Sequence, residues 1–246
     1  MISDVFVSPR RLAKNWVRRE ISRRGYEILA APFDQRLAKM LNHFQIDTVI
    51  DGGANVGQFG RTLRAAGYSG RIFSAEPLTS AFSELALASE NDPHWVAERL
   101  AFSDQEGSIE MNISANSVSS SALPMLRAHS DADPGSVYVG RESAPSTTLD
   151  AFVIRHGIDP SATMLKLDVQ GYEGTVLAGA TETIGTFAAA QMELSYVPLY
   201  GGQWLAHDVA EFMTQHGFEL WMYDSAAFYE PESQRLLQCD GIFVRT

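Results

Sequence analysis

The chain has 246 residues, 45% of them hydrophobic and 20% charged, with a formal net charge of -11. That size and apolar content suit one α/β core, and the acidic balance speaks against general nucleic-acid binding, which needs a basic surface to neutralise phosphate. No apolar run approaches the ~20 residues needed to cross a bilayer, no signal-peptide core follows the basic start, and a lone cysteine, Cys239, cannot form an intrachain disulfide, which fits a cytoplasmic setting.

Residues 1–24 carry Arg10, Arg11, Lys14, Arg18, Arg19, Arg23 and Arg24 against Asp4 and Glu20, so the arm is basic and the rest of the chain more acidic still. Leu12, Trp16 and Ile21 fall at helical spacing among the cations. The arm reads as a solvated helix docked on its own body or on a second copy in a homodimer, with peripheral membrane contact as the alternative. Leu37, Met40, Leu41 and Phe44 then line one face of a helix over Asp34–Phe44. The natural division is residues 1–44 as arm and helix, and 45–246 as one catalytic-type domain.

From there strands and helices alternate. Thr48–Asp51 predicts a strand, Gln58–Ala66 a helix stopped by Gly67, Arg71–Glu76 a strand, and Thr79–Ser89 a helix capped by Thr79. Trp95–Phe102 and Ser108–Ile113 predict further strands. Residues 114–146, rich in Ser, Ala, Asp and Pro, read as a long irregular lid or binding loop. Thr148 caps a helix to His156. Met164–Val169 predicts a strand, Glu173–Ala180 a helix and Ala188–Leu194 a strand. An aromatic, Gly-containing stretch follows over Ser195–Ala206, then a helix to His216 and strands at Phe218–Tyr223 and Gly241–Val244. This alternation predicts a doubly wound α/β fold with a mostly parallel sheet and helices on both faces. Ligands of such sheets bind at the carboxyl ends of the strands, which sets Asp51, Glu76, Ser103-Asp104, Asp168 and Glu193 along one rim.

Asp51-Gly52-Gly53-Ala54-Asn55-Val56-Gly57 carries the chemistry. A strand, a glycine turn and a helix N-terminus make a nucleotide-type pocket. A dehydrogenase fingerprint would place glycines at three set positions, but here Asn55 and Gln58 take two of them. Asp51 would also sit poorly beside a pyrophosphate and well beside a cation. Those features favour S-adenosylmethionine, which carries an ammonium and a sulfonium and no phosphate. Glu76, followed by Pro77 at the exit of the second strand, is placed to accept from both ribose hydroxyls, since an ionised carboxylate only accepts. Ser103 and Asp104 are candidates for the adenine edge. Gly53, Asn55 and Gly57 would bring backbone close to the amino-acid part. An NAD(P)-dependent dehydrogenase and a non-catalytic cofactor-binding subunit are the competing readings.

Four blocks resemble the FkbM family of S-adenosylmethionine-dependent methyltransferases: Val49–Gly57, Ala101-Phe102-Ser103-Asp104, Thr148-Leu149-Asp150, and Leu165-Lys166-Leu167-Asp168-Val169-Gln170-Gly171-Tyr172-Glu173. The family pattern usually has Glu where this chain has Gln170. The resemblance implies a Rossmann-like seven-stranded sheet whose last strand is antiparallel. It also implies O-methylation of a hydroxyl on a sugar, glycolipid or secondary metabolite, so the acceptor is a small molecule or oligosaccharide.

On the acceptor side, Asp168 and Glu193 tip neighbouring strands. Together they could hold a hard cation such as Mg²⁺; alternatively Asp168 is a direct base, or both are structural. Lys166 lies on the strand face of Asp168 and is expected to pair with a carboxylate. Glu173 opens a helix, where the macrodipole favours it. Tyr196, Tyr200 and Trp204 form a candidate sugar platform, with His207 beyond them as a candidate general base.

Overall fold

Apolar residues at helical spacing, Leu37, Met40 and Leu41, are the buried face of α1 (Phe33–His43), and they pack over one side of the sheet that begins with β1 (Thr48–Gly52). This computed structural model describes residues 32–224 and 227–246; the basic arm, with its docking, dimer and membrane readings, lies outside them. After β1 come α2 (Gln58–Ala65), β2 (Arg71–Ala75), α3 (Thr79–Ser89) and β3 (Trp95–Glu98). All five residues of β1 are buried, as expected for a parallel strand covered on both faces.

The strand expected over Trp95–Phe102 is two strands. The chain turns at Arg99 and Leu100, and β4 (Ala101–Phe102) joins a second, three-stranded sheet. That sheet also holds β5 (Gly107–Ser114) and, beyond a short helix α4 (Arg127–Ala132), β6 (Tyr138–Thr147). Arg99 ties the break to this sheet: its Nη2 donates to Glu142 Oε1 at 2.7 Å. The stretch expected to be irregular is therefore mostly ordered. Its Ser and Asn side chains build its turns, with Asn116 Nδ2 donating to Asp133 Oδ2 at 2.8 Å and Asn116 Oδ1 accepting from the Ser119 N–H at 3.1 Å. Thr79 does not cap α3. Leu78 is the N-cap, and the Thr79 hydroxyl donates to Glu142 instead.

The second half runs α5 (Leu149–His156), β7 (Thr163–Leu167), α6 (Glu173–Ala178), β8 (Ala189–Ser195), α7 (Ala206–Gln215), β9 (Phe218–Tyr223), β10 (Phe228–Tyr229) and β11 (Leu236–Arg245). Thr148 caps α5 as expected, accepting from the Ala151 N–H at 3.1 Å. Asp150 accepts from the backbone N–H groups of Glu182 and Thr183, both at 3.0 Å, which fastens α5 to the turn after α6.

The main sheet has the order β10-β11-β8-β7-β1-β2-β3, with β9 also pairing β11. β3, β2, β1, β7 and β8 are parallel, and β11 is antiparallel to β8. This is the Rossmann-like sheet with an antiparallel last strand; the short β10 brings the count to eight. Separate apolar clusters cover its two faces. The strand order reverses at β1, between β2 and β7, so the carboxyl ends of β1 and β7 frame the crevice where such sheets take their ligands.

Candidate active site

The turn after β1 is bonded to β2, since the N–H groups of Gly53 and Ala54 both donate to Ala75 O at 3.0 Å. Gly53 has a φ of 75°, and a Cβ there would stand 1.9 Å from the carbonyl oxygen of Asp168. Its glycine is thus required by the neighbouring chain as well as by the turn. Gly57 is the N-cap of α2 and packs against Leu85 and Trp95. Gly53, Asn55, Glu76, Pro77 and Asp168 all line one cavity of about 360 Å³. The Ser-rich segment closes over it through Ser117, Val118 and Ser120, and Asn55 Nδ2 donates to Ser117 Oγ at 3.4 Å.

Glu76 is 4% exposed. Its Oε2 accepts from the Asn55 N–H at 2.8 Å and its Oε1 from the Leu78 N–H at 2.9 Å. Each oxygen has a lone pair left, and the residue faces the cavity. Burial pushes its carboxyl up to about 7, against the pull of those two N–H groups. Burial likewise raises Glu173 to about 7 and Asp240 to about 6. Carboxyls whose pKa is higher folded than unfolded stabilise the fold below their unfolded values, and that contribution is lost as pH rises through the folded ones. The ligand-free protein is therefore expected to lose thermal stability between pH 5 and about pH 8. Glu76→Gln is expected to flatten that slope, as measured by thermal melts across the range.

Asp51 is placed differently from the sequence reading. It is fully buried, does not line the cavity, and pairs with Lys166 across the β1–β7 register at 3.0 Å. Ser74 Oγ donates to its other oxygen at 3.2 Å. The Asp51 charge is thus met by protein and not kept for a ligand. Lys166 is 5% exposed and also reaches Asp168 Oδ2 at 3.5 Å and Gly53 O at 3.3 Å. Burial opposes its charge, but Asp51 and Asp168 outweigh burial and hold the ammonium protonated. Ser103 and Asp104 are not among the cavity-lining residues; Ser103 Oγ donates to Asp104 Oδ1 at 3.1 Å, and Leu100, Ala101 and Phe102 face the cavity in their place.

Asp168, just past β7, and Glu193, on β8, come together as expected, but a side chain stands between them. Gln170 Nε2 donates to Asp168 Oδ1 at 2.8 Å and to Glu193 Oε1 at 3.0 Å. Tyr200, fully buried, donates its O–H to Gln170 Oε1 at 2.6 Å and so fixes which end of the amide faces the carboxylates. The amide fills the space between the two groups and takes one oxygen of each, Asp168 Oδ2 faces the Lys166 ammonium, and two carboxyl groups fall short of the oxygen ligands a hard ion such as Mg²⁺ takes; among the described residues no group of three or more His, Cys, Asp or Glu could hold a metal. Burial first, then Asp168 and Glu173, raise the Glu193 carboxyl well above its ordinary range and favour its protonated form. Glu173 is structural, accepting from the Val169 N–H at 3.1 Å.

The aromatic stretch is not a platform. Tyr200 is buried and Trp204 packs over Gly174, which leaves only Tyr196 exposed, at 41%. His207 lies outside the cavity. It is the second residue of α7, its side chain is 75% exposed, and its nearest acid is its neighbour Asp208 at 3.4 Å. Gln191 and Asp240 do line the cavity, joined by Gln191 Nε2 donating to Asp240 Oδ2 at 2.7 Å. Sequence reasoning missed both, because only the pairing of β8 with β11 brings them into reach.

A model of the FkbM methyltransferase domain matches residues 51–220. No curated protein matches the chain by sequence. Among solved structures it is similar to a 1,6-didemethyltoxoflavin-N1-methyltransferase of Burkholderia thailandensis, bound to 1,6-didemethyltoxoflavin and S-adenosylhomocysteine, at 12% identity over 100% of this chain and 93% of that one, with a TM-score of 0.44. A putative S-adenosylmethionine-dependent methyltransferase of Listeria monocytogenes aligns at 9% identity over 87% and 96%, TM-score 0.47. Fibrillarin of Aeropyrum pernix, with natively bound S-adenosylmethionine, aligns at 12% identity over 80% and 66%, TM-score 0.41.

Proposed function

This chain belongs to the FkbM family of methyltransferases, enzymes that use S-adenosylmethionine, and from that premise we propose that it methylates a hydroxyl of a sugar, glycolipid or secondary metabolite. The observation that carries this reading is that one cavity is lined at once by Glu76, by the Gly53–Asn55 turn and by Asp168. Glu76 accepts one backbone N–H on each oxygen, so each oxygen can still take one hydroxyl of a ribose diol. The Gly53–Asn55 turn offers backbone to the amino-acid part of the cofactor. When bound, S-adenosylmethionine supplies a methyl carbon made electrophilic by the attached sulfonium.

The remaining work falls to the chain's own residues. Asp168 lines the cavity and accepts the amide of Gln170 on Oδ1, while Oδ2 stands 3.5 Å from the Lys166 ammonium. Oδ2 is the atom we assign to receive the acceptor's hydroxyl proton. The lid residues Ser117, Val118 and Ser120 restrict water and hold the acceptor in line. Alignment of this kind supplies about 7–11 kcal/mol of barrier reduction, more than the ~3–5 kcal/mol of proton removal.

Calorimetry with S-adenosylhomocysteine, NAD and NADP in parallel tests the cofactor reading. S-adenosylhomocysteine is expected to bind and the dinucleotides to give no heat. Glu76→Gln is expected to weaken binding by about 10- to 100-fold, the range for hydrogen bonds to a charged group. Heat from NAD or NADP with none from S-adenosylhomocysteine would falsify the assignment.

A further inference from the structure

The Gln170 amide uses both of its N–H groups and its carbonyl. One N–H points to each of two carboxylates, and the carbonyl takes the Tyr200 hydroxyl. The residue is held where a non-glycine residue is strained, at a φ of 56°. The strain is held in place by the fully buried Ser121, whose hydroxyl donates to Gln170 O at 2.7 Å. Such an anchored amide does two things that a divalent cation would otherwise do. It draws two neighbouring carboxyl groups together on one donor, and it fixes the direction in which each presents its remaining oxygen.

We propose that Gln170 is a positioning residue standing in place of a divalent cation, so that this site orients Asp168 and Glu193 with no ion. Its effect on turnover rests on the reading of Asp168 as base; its effect on cation binding does not. A carboxylate at this position would keep one oxygen on the Tyr200 hydroxyl and turn the other toward Asp168 and Glu193. Three carboxyl groups would then converge with no amide between them, and a hard cation that displaces the proton favoured on Glu193 would meet an oxygen of each.

The test is Mn²⁺ uptake by the full chain, read by electron paramagnetic resonance, in wild type, Gln170→Glu and Gln170→Glu/Asp168→Asn. Wild type is expected to leave Mn²⁺ free. Gln170→Glu is expected to bind one Mn²⁺ per chain at least about tenfold more tightly, and the double variant to lose it. Circular-dichroism melts of each variant check that the fold is kept. With an acceptor in hand, wild-type turnover is expected to be unchanged in EDTA, while Gln170→Glu turnover falls in EDTA and recovers with Mn²⁺. Wild-type Mn²⁺ binding that Asp168→Asn abolishes would overturn the proposal, even if Gln170→Glu fails to fold. So would a folded Gln170→Glu that takes up no Mn²⁺. Because the uptake is read without turnover, failure of wild type to bind S-adenosylhomocysteine would sink the methyltransferase reading and not this one.

Discussion

Lys166→Met is expected to lower the free energy of unfolding by about 3–5 kcal/mol, the cost of leaving a buried charge without its partner. Asp51 has no exposed surface, and Lys166 has 5%. Without the ammonium, Asp51 keeps only the Ser74 hydroxyl at 3.2 Å. Ser74 is itself committed on its other side, accepting from Trp95 Nε1 at 3.0 Å. The double variant Asp51→Asn/Lys166→Met removes both charges and is expected to recover most of the loss, because a neutral pair carries no uncompensated desolvation. Urea unfolding of the four proteins closes the cycle. If Lys166→Met is insoluble and the double variant is soluble, the result is the same in kind. An unchanged midpoint for Lys166→Met would show that the pair contributes nothing to the fold.

That pair also shows where sequence reasoning stops. Asp51 at a strand tip before glycines was legible, and so were the turn, Glu76 and the Thr148 cap, because each depends on residues close together along the chain. The partner of Asp51 is more than a hundred positions away, and only the β1–β7 register sets Lys166 beside it. Read alone, Asp51 looks like a ligand group; read with its neighbour strand, it is half of a buried ion pair. β6 was missed for a different reason. Its sequence, Tyr138–Thr147, is largely exposed and has no apolar alternation, and its pairing with β5 crosses more than twenty residues. The aromatic stretch misled because Tyr200 looks like a surface ring until its hydroxyl is found buried beside Gln170, to which it donates, and within 3.1 Å of Ser119 O. Gln170 itself stood out as a departure from the family pattern, yet what it does required the position of Glu193.

Asp168→Asn is expected to lower kcat by 10²–10⁴-fold, about 3–5 kcal/mol in the barrier, while S-adenosylhomocysteine affinity stays within a few-fold of wild type. The substitution is nearly isosteric. An asparagine can still accept the Gln170 amide through its carbonyl, so the bridge to Glu193 survives. What changes is the second oxygen. It becomes an NH₂ that cannot take a proton, and it then faces the Lys166 ammonium now 3.5 Å from Oδ2. Lys166 cannot substitute as base, since Asp51, still paired with it at 3.0 Å, keeps the ammonium protonated. Glu193 shares the Gln170 amide with Asp168, and burial favours its protonated form. His207→Ala is the matched control, expected to leave turnover intact because that side chain is exposed and outside the cavity. The split between kcat and cofactor affinity decides the role. A loss in kcat alone marks an interaction made at the transition state. A loss of affinity in step with kcat would mean that Asp168 serves the cofactor, and the proton would then have to leave by another route.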